Sequence, residues 1–355
     1  MQHFSLGKSV QVLLFLFGLI AGLYFARPFL VPVAFAALFA MLLLPVSAWL
    51  ERKGTNKAVA ALLCILLFAV FFAGIAWLIT WQVSDLAKDA SGIEENLTKK
   101  ITEIRQQIST TFGISPQKQQ EFIKKQQESS SSGAQTIVSG ILAGIGGFLT
   151  NTVLVLVYLF LFIYFRSHLK KFVLLFIPAE RKESTTGVIE KCREVAQKYL
   201  TGMALMIACL WIMYGIGFAI VGVKGAVFFA ILCGLLEIVP FIGNLVGNGL
   251  TVLMAIAQGG SMNMVIGILV VYAVVQLIQT YLLEPLVVGS EVNINPLFTI
   301  MGLVAAETVW GIPGMVLVIP FMGITKIICD NVDGLKPYGF LLGVEKKGKK
   351  NKKTE

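Results

Sequence analysis

Residues 235–249 read LLEIVPFIGNLVGNG. Apolar flanks enclose a carboxylate (Glu237), a proline (Pro240), two asparagines (Asn244 and Asn248) and three glycines (Gly243, Gly247 and Gly249). A lipid-facing helix would reject Glu237, because charge in the hydrocarbon core is costly. A soluble loop would have little use for Ile238, Val239, Phe241 and Ile242 between the polar residues. What fits is a helix break at membrane depth, tolerated only where protein buries the backbone or a cavity is lined by it.

The rest of the chain supplies the membrane. Of 355 residues, 56% are hydrophobic and 14% charged, against about 45–50% and about 25% in soluble domains. Runs of about 20 apolar residues mark spans, and the chain offers them at 10–25, 28–50, 58–81, 141–165, 201–221 and 262–283. Lys8 precedes the first run and no small-residue cleavage site follows it, so that run is expected to be a retained helix. Pro32 and Pro45 are expected to kink or end the second. Trp77 and Trp81 stand like interfacial anchors at the end of the third.

Residues 82–132 break the pattern. Seven basic residues meet seven acidic ones, and Ile93, Leu97, Ile101, Ile104 and Ile108 step by helical intervals. This predicts a small extramembrane helical insert closing on the flexible run SSSSG at 129–133. After the fourth run, Val188, Cys192, Val195 and Tyr199 space an amphipathic helix expected to lie along the membrane surface. The expected division is therefore 1–82 (three helices), 83–135 (insert), 136–200 (fourth span and surface helix), 201–330 (hairpin region) and 331–355 (basic tail).

Loop charge orients the chain. Residues 51–57 carry three basic groups against one acid, and 166–198 carry eight against four. The tail adds lysines at 346, 347, 349, 350, 352 and 353, much of the net charge of +9. By the positive-inside rule these segments and both termini are cytoplasmic, and the insert lies outside. The tail lacks interleaved aromatics, so anionic lipid is its expected partner rather than nucleic acid.

That orientation returns to the opening stretch. The arm 225–239 has 15 residues, about 22 Å as a helix at ~1.5 Å per residue, and the return over 245–258 is as short. The hydrocarbon core is about 30 Å thick. A re-entrant hairpin is the better reading. The arms 297–309 and 314–328 around TVWGIPG (308–314) repeat the arrangement. The fold expected is an all-α polytopic membrane protein of about six full spans plus two re-entrant helical hairpins. Eight spans would leave the same end orientation. Two broken elements entering from opposite faces suggest an inverted repeat, with Glu237 and Glu307 at comparable places before the breaks.

Three carboxylates fall in or beside apolar runs: Glu237, Glu284 and Glu307. Burial penalises the charged form of a carboxyl, so such a group can exchange protons near neutrality; the alternative is a helix cap or an interfacial ion pair. Tyr272, Gln276, Gln279 and Thr280 share one helical face. That face is either a hydrogen-bonding wall for a polar solute or interhelical glue, worth about 1 kcal/mol per contact. Asn244 and Asn248, with the glycines beside them, could offer amides and freed carbonyls to a solute or cation, or simply make a tight turn. The cysteines (64, 192, 209, 233 and 329) are odd in number and dispersed, which fits small hydrophobes rather than disulfides or a metal site. No P-loop, zincin motif or nucleophile elbow is present, so no cofactor or enzyme chemistry is expected.

The motifs IVPFIGNLVG (238–247), LEPLVVGSEVNINPL (283–297) and VWGIPGMVLVIP (309–320) resemble the autoinducer-2 exporter family of bacterial permeases, over nearly the whole chain. The resemblance implies a homo-oligomeric, pentameric transporter of the bacterial inner membrane, working by an elevator-like motion. Members are assigned export of autoinducer-2, and others sodium(lithium)/proton antiport. Carried over by motif, the positions are Pro240, Gly243, Glu284, Pro285, Gly289, Pro296, Gly311, Gly314 and Pro320; Pro313 joins them as a hinge in the same GIPG turn. Asn244 stands where many members have a second proline, and Glu307 where glycine is common. A non-transporting scaffold that binds partners through its insert is the competing class.

Overall fold

The computed structural model describes residues 6–88, Thr102, 134–239, 242–288 and 294–344. The expectations for the insert and for the lysine tail from 345 fall outside these residues, as do Pro240 and Gly289. Among the described residues the chain is helical throughout, with no strand and one isolated bridge, between Ile294 and Gly343. The helices are α1 (Leu6–Phe25), α2 (Arg27–Arg52), α3 (Lys57–Lys88), α4 (Ala134–Leu175), α5 (Lys182–Val221), α6 (Ala226–Leu236), α7 (Ile242–Ala257), α8 (Met262–Ile278), α9 (Pro296–Trp310), α10 (Ile312–Asn331) and α11 (Lys336–Leu342). A π-helical segment, Gln279–Val288, continues α8. Among the described residues, six helices are long and apolar enough to cross a membrane. The chain is an all-α, multi-pass membrane protein.

The elements differ from their expected outlines in three places. Pro32 and Pro45 lie inside α2 without ending it; prolines are tolerated in membrane helices because neighbouring groups satisfy the freed carbonyls. The amphipathic segment and the fifth span form one helix, Lys182–Val221, rather than a surface helix followed by a span. No proline interrupts 183–221, so the helix carries a polar stripe in its first half and an apolar one in its second. The last arm also runs longer than 314–328. Its first turn accepts Pro313, which needs no hydrogen bond there, so α10 has 20 residues and counts among the six.

The chain forms two compact units. One comprises residues 1–67, 152–204 and 285–355; the other comprises 68–151 and 205–284. In the first, Ala34, Leu38, Ala196 and Leu317 form a buried cluster against which Phe35, Leu200, Trp310 and Phe321 pack. Small residues on α2 (Ala34, Ala36 and Ala40) let neighbouring backbones approach closely, the usual device where lipid removes the hydrophobic drive between helices. Arg166 on α4 donates two hydrogen bonds to the Glu51 carboxylate, at 2.9 and 2.7 Å, tying the ends of α2 and α4. Between α9 and α10 the chain turns at Gly311, whose φ of 66° and ψ of −147° only glycine adopts readily. The Trp310 indole N–H donates to the Leu23 carbonyl at 2.9 Å, fastening that turn to α1.

In the second unit α6 and α7 pack as a hairpin and α7 packs on α8. The two arms have 11 and 16 residues, about 16 and 24 Å at ~1.5 Å per residue. Both fall short of a ~30 Å hydrocarbon core. Trp211 on α5 donates its indole N–H to the Ile231 carbonyl at 3.1 Å, which holds α6 against α5.

Candidate functional site

The break in the opening motif is where polar side chains converge. Helix α6 ends at Glu237, which caps it, and α7 starts at Ile242. A β-carbon on Gly243 would lie 1.7 Å from the Leu236 carbonyl oxygen, so only glycine lets α7 begin this close to the end of α6. From that start α7 turns Asn244, Asn248, Thr251 and Ala255 inward, all buried, while Leu245 and Leu253 point outward and are exposed. The steps of four, three and four residues make one helical face. It is inside-out compared with a soluble helix, as a lipid-bathed helix with a polar partner should be.

The partner is Tyr214 on α5, 1% exposed. Its hydroxyl donates to Asn244 Oδ1 at 2.9 Å and accepts from Asn248 Nδ2 at 3.2 Å. Asn248 Nδ2 also reaches Asn244 Oδ1 and the Asn244 carbonyl, both at 2.9 Å. Asn244 Nδ2 donates to Gln276 Oε1 on α8, and Gln276 Nε2 donates to Thr280 Oγ1 at 3.3 Å. A second link starts at the break itself: Gln279 Nε2 donates to Glu237 Oε1 at 2.7 Å. Thr251 returns its hydroxyl to the Gly247 carbonyl at 2.9 Å, with Cys233 Sγ 3.7 Å away.

Three acceptors in this assembly have no partner among the described residues: Glu237 Oε2, Gln279 Oε1 and Asn248 Oδ1, all buried atoms. Buried polar atoms are nearly always satisfied, so an orphan invites an explanation, such as a ligand or ion. Glu237 has no ion pair among the described residues, and no group of histidine, cysteine and carboxylate side chains there could hold a metal ion. The apolar groove of about 480 Å³ between α5 and α8, lined by Gly217, Val221, Asn263, Gly267 and Val271, lies apart from the polar cluster.

Gln279 opens the π-helical segment, which carries Pro285 inside it. Proline supplies no N–H to the α-helical ladder, and π turns collect at functional sites. Of the candidates read from sequence, the structure brings together Glu237, Asn244, Asn248, Gln276, Gln279 and Thr280. It leaves out four others. Tyr272 is half-buried and outside the hydrogen-bonded chain. Glu284 is exposed beside Pro285. Glu307 is exposed on α9, in the other unit. Gly249 faces open space. Gly247 and Gly314 mark close packing, Pro296 opens α9 behind its cap Asn295, and Pro320 is buried within α10. Tyr214 and Thr251 were missed. A lone hydroxylated aromatic in the middle of an apolar span was the available signal for the first.

Comparison with known proteins places the chain in a family. The family model described as AI-2E family transporter matches residues 13–334. "Putative transport protein YueF" of Bacillus subtilis (strain 168) is 25% identical over 350 residues, covering 93% of each chain. "Putative transport protein YrrI" of the same organism is 21% identical over 304 residues, 84% of this chain and 85% of that one. "Putative transport protein YhhT" of Escherichia coli (strain K12) is 21% identical over 326 residues, 92% of this chain and 91% of that one. With a half-length hairpin, a buried polar cluster behind it and a family model spanning most of its length, the chain belongs to the AI-2E family of transporters.

Proposed function

We propose that the protein is a secondary transporter that exports a small polar solute across the bacterial inner membrane, with the cluster around Tyr214 and Asn244 as its binding site. Family membership supports the membrane transport role. The observation that carries the rest is a set of orphaned acceptors: Glu237 Oε2 and Asn248 Oδ1 on a hairpin too short to span, with Gln279 Oε1 beside them on the segment that continues α8. Acceptors without donors suit a ligand rich in hydroxyl groups. A furanosyl polyol of the autoinducer-2 type, the substrate the family resemblance implies, has that chemistry. A short hairpin beside a full span suits alternating access by an elevator-like motion, in a homo-oligomer that anchors the fixed parts.

Sodium(lithium)/proton antiport is the second reading, and one feature favours it. Glu237 and Gln279 present two unpartnered oxygens from side chains that already touch, a donor set suited to a hard monovalent cation or a proton. Proteoliposomes separate the two readings: efflux of autoinducer-2 and sodium flux are compared under imposed proton gradients. The Glu237→Gln variant, which keeps an amide in place of the carboxyl, should lose proton-coupled flux while the oligomer stays intact. Undiminished coupled flux would remove Glu237 from the mechanism.

A further inference from the structure

A second polar cavity lies in the unit that does not hold this cluster. It has a volume of about 300 Å³ and is lined by Asn56, Lys57, Tyr164, Ser167, His168 and Lys171, with Phe165 at its side. Its walls are the turn between α2 and α3 and the last third of α4. Every polar side chain in that lining can donate a hydrogen bond, and no carboxylate is among them. Neither lysine is ion-paired to a described residue. Lys57 Nζ sits 5.5 Å from the Tyr164 ring centre instead. The nearby carboxylates are already engaged: Arg166 holds Glu51 and Lys170 holds Glu190. The Asn56 Oδ1 accepts from the Ala58 amide at 3.2 Å, so the cavity is left its Nδ2 donor.

The surroundings fix what kind of anion would be met there. Over the same stretch α4 exposes Leu161, Phe165, Leu169 and Phe172, an apolar strip on a helix long and apolar enough to cross a membrane. Asn56, Lys57, Ser167, His168 and Lys171 belong to the two segments whose basic residues mark the cytoplasmic side. A donor-rich pocket without a carboxylate, continuous with a greasy strip, matches a molecule with a phosphodiester head and acyl tails. We propose that this cavity seats the headgroup of an anionic phospholipid of the cytoplasmic leaflet, with Lys57 and Lys171 as its principal contacts. The bound lipid would bridge the α2–α3 turn to α4, joining the first of the two units to the bilayer independently of what is transported.

The test uses the full chain purified in a mild neutral detergent. Native mass spectrometry measures retention of dioleoylphosphatidylglycerol against dioleoylphosphatidylcholine, with water-soluble sn-glycerol 1-phosphate as the free-anion arm. Wild-type protein should prefer the anionic lipid. Lys57→Gln with Lys171→Gln should lower that affinity by roughly 30-fold, from about a 5-fold loss per lysine. Lys182→Gln with Lys191→Gln, which removes two charges outside the cavity, should leave it unchanged, and Lys57→Arg with Lys171→Arg should keep it. If the double glutamine variant loses its size-exclusion peak, the single variants carry the test at about 5-fold each. A preference that survives loss of both lysines overturns the proposal. So does an equal loss in the control pair, or glycerol phosphate binding as tightly as the lipid.

Discussion

The two hairpins, α6–α7 and α9–α10, are built to one plan and put to different use. Each has a short apolar first arm, a glycine at the turn and a second arm that starts in close contact with the first. At Gly243 and at Gly314 an added β-carbon would fall 1.7 and 2.1 Å from a carbonyl oxygen of the first arm. The inward faces then diverge. In α7 they are Asn244, Asn248 and Thr251; in α10 they are Gly314, Leu317, Pro320 and Gly323. The first hairpin buries amides and leaves acceptors open, whereas the second buries apolar and small groups and is pinned through Trp310 to the α1 backbone. Similar turn chemistry therefore fixes hairpin shape and says nothing of purpose. On the function proposed above, purpose lies in the second arm's buried stripe.

The largest effect should come from the shared feature. Gly243→Ala places a methyl group into the Leu236 carbonyl and should cost about 3 kcal/mol, read as a lowered melting temperature in detergent with loss of flux. An unchanged melt would mean that the tight turn is not required. Next comes the feature the hairpins do not share. Asn244→Leu removes the acceptor of the Tyr214 O–H and the donor to the Gln276 amide oxygen, at about 1–3 kcal/mol for a buried group left unpaired. Solute flux should fall about 10-fold or more, the change that ~1.4 kcal/mol makes. Trp310→Phe removes one hydrogen bond, about 1 kcal/mol, and should lower the melt slightly while flux per folded protein stays near wild type. If Trp310→Phe cut flux as deeply as Asn244→Leu, the division of labour between hairpins would fail.

These expectations also show how far the sequence could be read. The membrane class, the helix break at Glu237 and the hairpin arms were legible, because apolar run length and Gly/Pro placement are local properties. Most of the polar cluster was legible too: Glu237 is the carboxylate at the break, and Asn244, Asn248, Gln276, Gln279 and Thr280 are polar side chains at helical spacing in a greasy background. Tyr214 was not, since its partner Asn244 lies 30 residues on, and periodicity carries no information about pairing at that separation. The link between Glu237 and Gln279, 42 residues apart, was hidden for the same reason. Glu307 shows the converse. Its position before a break looked equivalent to that of Glu237, yet the side chain is exposed on α9. The π-helical segment escaped because one unusual register is written in tertiary packing as much as in Pro285.

The smallest effect tests the same contrast with charge. Asp333, in the short turn after α10, is hydrogen-bonded by the Lys336 ammonium at 2.8 Å, and both side chains are largely exposed. The Lys336 hydrogen bond and charge hold the Asp333 carboxyl below its ordinary range. A carboxyl whose folded value is depressed adds stability that is fully present above its unfolded value, about 4. That stability is lost as pH falls through the lower folded value. Water screens an exposed pair, so the contribution is small throughout. The melting difference between wild type and Asp333→Asn should be slight at neutral pH, should start to shrink as pH falls below about 4, and should vanish below the depressed folded value. A large difference at neutral pH, comparable with that of Asn244→Leu, would show that polar groups matter here by charge rather than by burial. It would remove the reason for placing the working site behind the first hairpin.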